Sequence, residues 1–299
     1  MSRLKIIGID SEKCIKCEKC ITSCSVRLFS VERAGMEKKI EFDDPYHFCF
    51  RCGHCISICP TEAIDYTGAE QTYTFEEVST PESLISYDDM MKFIRARRSI
   101  RIYKDKPVPE PLIHSVLEAM RYSPSASNRQ SREYIVITDK EKIAWLSTKV
   151  SNLMKTTQRL LPLRYLIAPF LSSSLRRRIM SPRTKKSLEM FFERTDSGDD
   201  MIFFKAPIVI ILYAPPYSKM TGPDAGIALT HGMLAAQSLG LGTCWIGFAQ
   251  EYLWRSKKTR KTLGIPKDRN VYGVLVMGYT DIKFERAPPR RELSVKWKK

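Results

Sequence analysis

Eight of the nine cysteines in this chain of 299 residues fall into two runs of identical form, and no other feature restricts the fold so tightly. Cys14, Cys17, Cys20 and Cys24 make the first run; Cys49, Cys52, Cys55 and Cys59, followed by Pro60, make the second. Both read C-x2-C-x2-C-x3-C. Thiolates two residues apart can converge on three irons of one iron–sulfur cube, and the longer step before the fourth throws it towards a neighbouring cube. Zinc is the plainer alternative, but a structural zinc site is satisfied by two C-x2-C pairs, which leaves cysteines surplus here. Disulfides need an oxidising compartment, and the opening MSRLKIIGID lacks the long apolar stretch of a secretory signal, so a cytoplasmic location is expected. A unit organised by such clusters needs little apolar core, because metal–ligand bonds replace the burial it lacks.

The flanking residues carry the reading further. GIDSEKCIKCEKCITSC and CGHCISICPTEAIDY resemble bacterial ferredoxins that carry two [4Fe–4S] clusters. That resemblance implies that Cys14, Cys17, Cys20 and Cys59 hold one cluster and Cys49, Cys52, Cys55 and Cys24 the other. Ser25 stands where the family usually has proline, and residues 25–48 read as a surface elaboration between the runs.

A ferredoxin accounts for only part of the length, so two domains are expected: residues 1–66 as the ferredoxin-like module, 67–86 as a polar linker, and 87–299 as a larger second domain. Short strands are expected near residues 5–8 and 63–66. The formal net charge is +16, and since residues 1–66 are roughly balanced in charge, the excess belongs downstream. Residues 147–186 hold ten Lys or Arg and no Asp or Glu, within a basic insert spanning about 147–200. Its apolar patches, Leu160-Leu161 and 166–171, are broken by Pro162 and Pro169 and are too short to cross a bilayer. A basic amphipathic lid fits, one that covers a site, lies on an anionic membrane surface as a peripheral contact, or docks an acidic protein. No nucleic-acid-binding module is present in the pattern, and no nucleic-acid partner is expected.

Periodicity sketches the second domain. A helix is expected from Tyr87, a short strand at 100–103, and a helix opened by Pro109 with Leu112, Ile113, Val116, Leu117 and Met120 on one stripe. Strands follow at 134–138, 208–213, 243–247 and 271–278, with a helix rich in small residues at 224–239. Strands separated by helices indicate an α+β or α/β arrangement.

Within that pattern, Arg97-Arg98-Ser99-Ile100-Arg101, Tyr122-Ser123-Pro124-Ser125 with Asn128 and Gln130, Lys205-Ala206-Pro207, Gly240-Leu241-Gly242-Thr243-Cys244-Trp245-Ile246-Gly247, and Gly278-Tyr279 with Pro289-Arg290-Arg291 resemble the FMN-dependent nitroreductase family in order and spacing. The resemblance implies an α+β sheet-and-helix domain that binds FMN, joined here to the N-terminal two-cluster module, and a homodimer. It implies further that Arg97, Arg98, Ser99 and Arg101, with Arg290 and Arg291 from the tail, grip the FMN phosphate, a role suited to arginine's planar fork. Pro124, Ser125, Ser127, Asn128 and Gln130 would meet the pyrimidine edge of the flavin, and the backbone of Ile246 and Gly247 would lie near flavin N5. Cys244 is either close to the ring or a buried core thiol. No side chain is assigned as a catalytic acid or base. The expected activity is an electron relay: a low-potential donor, ferredoxin in the first instance, then the clusters, then FMN, then a small-molecule acceptor such as a nitro compound. Alternatives are an electron-transfer or docking subunit of a larger redox complex, or a non-reductive flavin enzyme of the same fold.

Overall fold

The computed structural model describes residues 3–34, 37–70, 72–170 and 173–298; Leu171, the end of one apolar patch, and the side chain of Arg178 in the basic insert lie outside what is described. The chain forms two compact units, one of Met1–Ser86 with Pro124–Gln130 and one of Tyr87–Ser123 with Ser131–Lys299.

In the first unit, β1 (Lys5–Ile9) pairs antiparallel with β4 (Ile64–Thr67), and between them lie α1 (Lys19–Ser23), β2 (Phe29–Ala34), β3 (Glu37–Phe42) and α2 (His54–Ile58). The two cysteine runs adopt one local fold twice. Lys16 and Glu18 in the first run, and Arg51 and Gly53 in the second, all have positive φ, which bends each run back on itself. For the non-glycine residues this backbone costs about 1–3 kcal/mol each and persists only where surrounding bonds enforce it. The third cysteine of each run, Cys20 or Cys55, then sits in a short helix, and the fourth, Cys24 or Cys59, caps that helix in extended backbone.

Residues 25–48 are more than a surface elaboration. They contain the β2–β3 hairpin, whose alternation puts Phe29 and Ile40 into the core with Ile6, Cys55 and Ile64. The rings of Phe29 and Phe42 stand 5.0 Å apart. The apolar centre is small, and five cysteines of the runs pack against it: Cys14, Cys20, Cys24, Cys49 and Cys59.

The second unit runs α3 (Tyr87–Ala96), α4 (Glu110–Arg121), β5 (Glu133–Ile137), α5 (Lys140–Leu160), α6 (Arg164–Ile167), α7 (Ser173–Met180), α8 (Pro182–Asp196), β6 (Ile208–Ala214), α9 (Thr221–Ser238), β7 (Gly242–Trp245), α10 (Gly247–Arg255), α11 (Lys257–Thr262) and β8 (Asn270–Gly278). The sheet order is β5-β6-β8-β7 with every pairing antiparallel, so the unit is α+β. Both sheet faces are covered. Along β6, Val209 and Ile211 enter one core with α5, α8 and α10, while Ile208, Ile210 and Leu212 enter the other with α4 and α9. A continuous apolar run is what a strand buried on both faces requires.

Two expected strands change. Residues 100–103 form none: the segment makes a single bridge, Ser99 to Thr243, with Ile100 N–H donating to Thr243 O at 2.9 Å, and then leaves the sheet. The strand expected over 243–247 is Gly242–Trp245, because Gly247 already opens α10. Gly242 is where residue 100 packs closest: a Cβ there would fall 2.7 Å from Ile100 Cγ1. The basic insert is anchored rather than a free lid. Leu146, Val150, Met154, Leu188, Phe191 and Phe192 from α5 and α8 are core residues, whereas Leu163, Tyr165, Leu166 and Phe170 are exposed. Among the described residues no helix is long and apolar enough to cross a membrane.

Candidate functional site

The cysteines separate into two groups, and the grouping crosses the runs. Cys14, Cys17 and Cys20 line one recess together with Cys59, beneath Ile9, Ile40 and Ile64. Cys24 stands with the second run, close enough to Cys49 and Cys55 to raise both of their thiols. Burial is the larger cause in each case and pushes Cys55 up to about 11. A thiolate is costly in such surroundings unless a metal compensates it. Backbone N–H groups are aimed at the sulfurs: Leu28 to Cys24 and Arg51 to Cys49, both at 3.4 Å, and Ala63 to Cys59 at 3.2 Å. At Cys59 burial opposes ionisation, yet the amides of Ala63, Thr61 and Glu62 bring the thiol below its ordinary value. Among the described residues no three His, Cys, Asp or Glu side chains converge as ligands of one metal ion. Four thiols lining one recess, with N–H groups aimed at Cys59 there and at Cys24 and Cys49 in the other group, fit clusters of several irons.

In the second unit, Arg97, Ser99 and Arg101 gather about the thiol of Cys244. Burial pushes that thiol up, while Arg101, a hydrogen bond with Ser99 and then Arg97 pull it down. Cys244 is a buried residue of the core, and its Sγ also reaches Trp245 O at 3.7 Å. It is therefore both the core thiol and the neighbour of the arginines. Two guanidiniums and a hydroxyl with no carboxylate among them make an anion-binding donor set.

Arg98 has a different setting. Its guanidinium donates to Arg95 O at 2.6 Å, Arg97 O at 2.7 Å and Arg286 O at 2.5 Å, and lies 5.1 Å from the centre of the Phe284 ring. It thereby ties residues 95–98 to the C-terminal tail. Arg290 and Arg291 lie further along that exposed tail, where Arg290 Nη1 turns to Pro289 O at 3.1 Å. Sequence reasoning passed over Phe284 and Phe204, the second of which lies 5.8 Å from the Arg101 guanidinium. Isolated aromatics outside a motif carry no signal of stacking until the fold brings an arginine over them.

The strand-end donors are not equivalent. Ile246 N–H is spent on Val274 O at 2.8 Å. Gly247 is the first residue of α10, where helix geometry leaves the N–H without an intrahelical acceptor, and a Cβ on it would meet nothing within 4 Å. Gly247 is the better placed of the two for a flavin edge.

Pro124, Ser125, Ser127, Asn128 and Gln130 belong to the first unit. The loop closes on itself: Asn128 N–H donates to Ser125 O at 2.9 Å, Gln130 N–H to Ser125 Oγ at 3.0 Å, and Gln130 Nε2 to Asn128 Oδ1 at 3.0 Å. Ser127, Asn128 and Gln130 all have positive φ. The amide of Asn128 is already engaged, since its Nδ2 donates to Arg51 O at 2.7 Å.

Known proteins share both parts. Residues 94–279 match the nitroreductase family and residues 13–64 a 4Fe-4S dicluster domain. The chain belongs to the nitroreductase family. Its nitroreductase-family portion follows an N-terminal dicluster domain, and the whole is an oxidoreductase by that membership. A nitrobenzene nitroreductase of Ectopseudomonas oleovorans is 25% identical over 213 residues, covering 68% of this chain and 89% of that protein. A 4-nitrobenzoate reductase of Nocardioides sp. is 26% identical over 246 residues, covering 74% and 96%. Among solved structures, a nitroreductase of Desulfitobacterium hafniense with bound FMN shares the fold at 21% identity, with a TM-score of 0.51, over 69% of this chain and 97% of that one.

Proposed function

We propose that this nitroreductase-family protein takes single electrons from a low-potential donor, ferredoxin in the first instance, through two [4Fe–4S] clusters to FMN, and reduces a small electrophilic organic acceptor such as a nitro compound. The observation that carries this reading is the crossed grouping of the cysteines, Cys59 with the first run and Cys24 with the second, in a chain that continues as a nitroreductase. Flavin when bound supplies the junction between one-electron and two-electron chemistry.

The residues of the chain have separable tasks. Arg97, Ser99 and Arg101 hold the phosphate, with Arg290 and Arg291 drawn in from the tail that Arg98 fixes. Gly247 offers its N–H to the reacting edge of the flavin, where a fixed donor favours the reduced form. For the polar edge of the flavin the family resemblance alone adds Pro124, Ser125, Ser127, Asn128 and Gln130. The family resemblance implies a homodimer, and two copies are expected here.

Electron supply tests the proposal. Reduced ferredoxin or dithionite is expected to bleach the flavin rapidly, and NADH or NADPH alone only slowly. Fast reduction by NADH in a protein stripped of its iron would overturn the role given to the cysteine runs. A second reading, attachment to an acidic protein or anionic membrane surface, is favoured by exposed Leu163, Tyr165, Leu166 and Phe170 beside Arg164 and Arg176 in the basic insert.

A further inference from the structure

The two cysteine runs repeat one backbone, and the repetition exposes an asymmetry in what holds it. The residue two after the first cysteine, Lys16 or Arg51, has positive φ in both, 59° and 56°. In the second run that residue's N–H points at Cys49 Sγ, at 3.4 Å, and the left-handed backbone of Arg51 joins the peptide plane carrying that N–H to the plane carrying its carbonyl, so fixing the carbonyl helps to fix a hydrogen bond to a ligand sulfur. In each run the carbonyl of the same residue is caught by a side chain from elsewhere. Lys16 O accepts from Lys38 Nζ at 3.0 Å, and Lys38 also pairs with Glu18. Arg51 O accepts from Asn128 Nδ2 at 2.7 Å.

The donors differ in kind. Lys38 lies on β3, inside the ferredoxin-like module, on a long side chain at the surface. Asn128 comes from 77 residues further along, within the nitroreductase match, and is a short amide that is itself fixed by Gln130 Nε2 on Oδ1 and by Ser125 O on its N–H. We propose that Asn128 is a positioning residue for the second cysteine run: by holding Arg51 O it keeps Arg51 N–H on Cys49 and so sets the redox potential of the cluster on Cys49, Cys52, Cys55 and Cys24. Lys38 holds the matching carbonyl in the first run, but there the sulfur-directed N–H of the second run has no counterpart among the described residues. Hydrogen bonds to the sulfurs favour the more negative, reduced cluster, so losing one lowers the potential. The loop that carries the flavin-edge candidates thus also tunes one cluster, and only one. This rests on the proposed presence of two clusters.

The test is a redox titration followed by electron paramagnetic resonance on the full-length, anaerobically purified protein. Asn128→Gly removes the donor while suiting the positive φ of that position, 45°. It is expected to lower the potential of one cluster and leave the other in place, and Asn128→Asp, which adds a negative charge, to lower the same one further. Lys38→Ala, on the other run, is expected to leave the potential of the cluster on Cys49, Cys52, Cys55 and Cys24 in place. Cys52→Ser and Cys17→Ser, each disturbing the signal of one cluster, assign the two. Iron and sulfide analysis separates the layers of the argument. A full iron complement with neither potential moved, or both moved together by Asn128→Gly, overturns the role of Asn128 and leaves the electron relay standing. Absence of clusters overturns both.

Discussion

Stripping the iron from this protein is expected to unfold Met1–Ser86 while the sheet of the nitroreductase unit stays folded. The reason lies in what each unit buries. The first has a core of Ile6, Phe29, Ile40, Cys55 and Ile64, and its remaining interior is ringed by cysteine sulfurs. At about 1.5–3 kcal/mol for each buried aliphatic or aromatic side chain, that core is too small to offset the ordering of so many residues. Lys16, Glu18 and Arg51 add left-handed backbone, a cost that a ligated core would help to offset. Structural metal sites contribute roughly 10 kcal/mol or more, which is the scale the unit lacks without iron. The second unit, by contrast, buries β6 and β8 on both faces through a continuous set of aliphatic side chains. Hydrogen exchange on chelated protein should therefore show complete loss of protection in β1 and β4 and little change in β6 and β8. Uniform unfolding of both units, or protection retained in the first, would count against a cluster-built module. Acid should act in the same direction as chelation, since protons compete with iron for the thiolates.

The second large effect is expected at the arginines. Arg97→Ala with Arg101→Ala should weaken FMN binding by roughly a thousandfold, since each charge-assisted hydrogen bond to a phosphate oxygen is worth about 1.5–3 kcal/mol. Arg101→Lys should recover only part of the loss, because an ammonium keeps the charge without the planar fork. The measurement is flavin fluorescence titrated into the apoprotein, with circular dichroism to confirm the fold. Arg98 is the instructive contrast. Its guanidinium is spent on three backbone carbonyls and Phe284, so Arg98→Ala removes a tie to the tail before it removes a ligand. Unchanged FMN affinity in the double variant would place the phosphate elsewhere.

How much of this was legible follows from how local each signal is. The cysteine spacing encodes its own geometry, because three and then four residues of backbone fix where each sulfur can point. Apolar runs at residues 208–213 and 271–278 announced doubly buried strands, and the structure extends them only to Ile208–Ala214 and Asn270–Gly278. The β2–β3 hairpin was legible in principle, since Phe29, Val31, Ile40 and Phe42 alternate with polar residues, but the signal was masked by the charges between them. Residues 100–103 look β-prone, yet they pair at one point because the chain then turns to bond Lys104 N–H to Tyr279 O. The anchoring of the basic insert escaped because its buried positions, such as Val150, Met154 and Leu188, are diluted by lysines and arginines on the other faces. Least legible was the partner of Asn128. An amide in a polar loop reads as a ligand for whatever lies near, and only the fold shows that a carbonyl 77 residues earlier has taken it.

The central claim is that one chain carries two four-iron clusters and a flavin. Anaerobic purification followed by iron, sulfide and flavin analysis measures it directly. The account predicts about eight iron, about eight sulfide and one FMN per chain, with an absorption spectrum that sums the two chromophores. Zinc in place of iron, with no flavin retained, would contradict it.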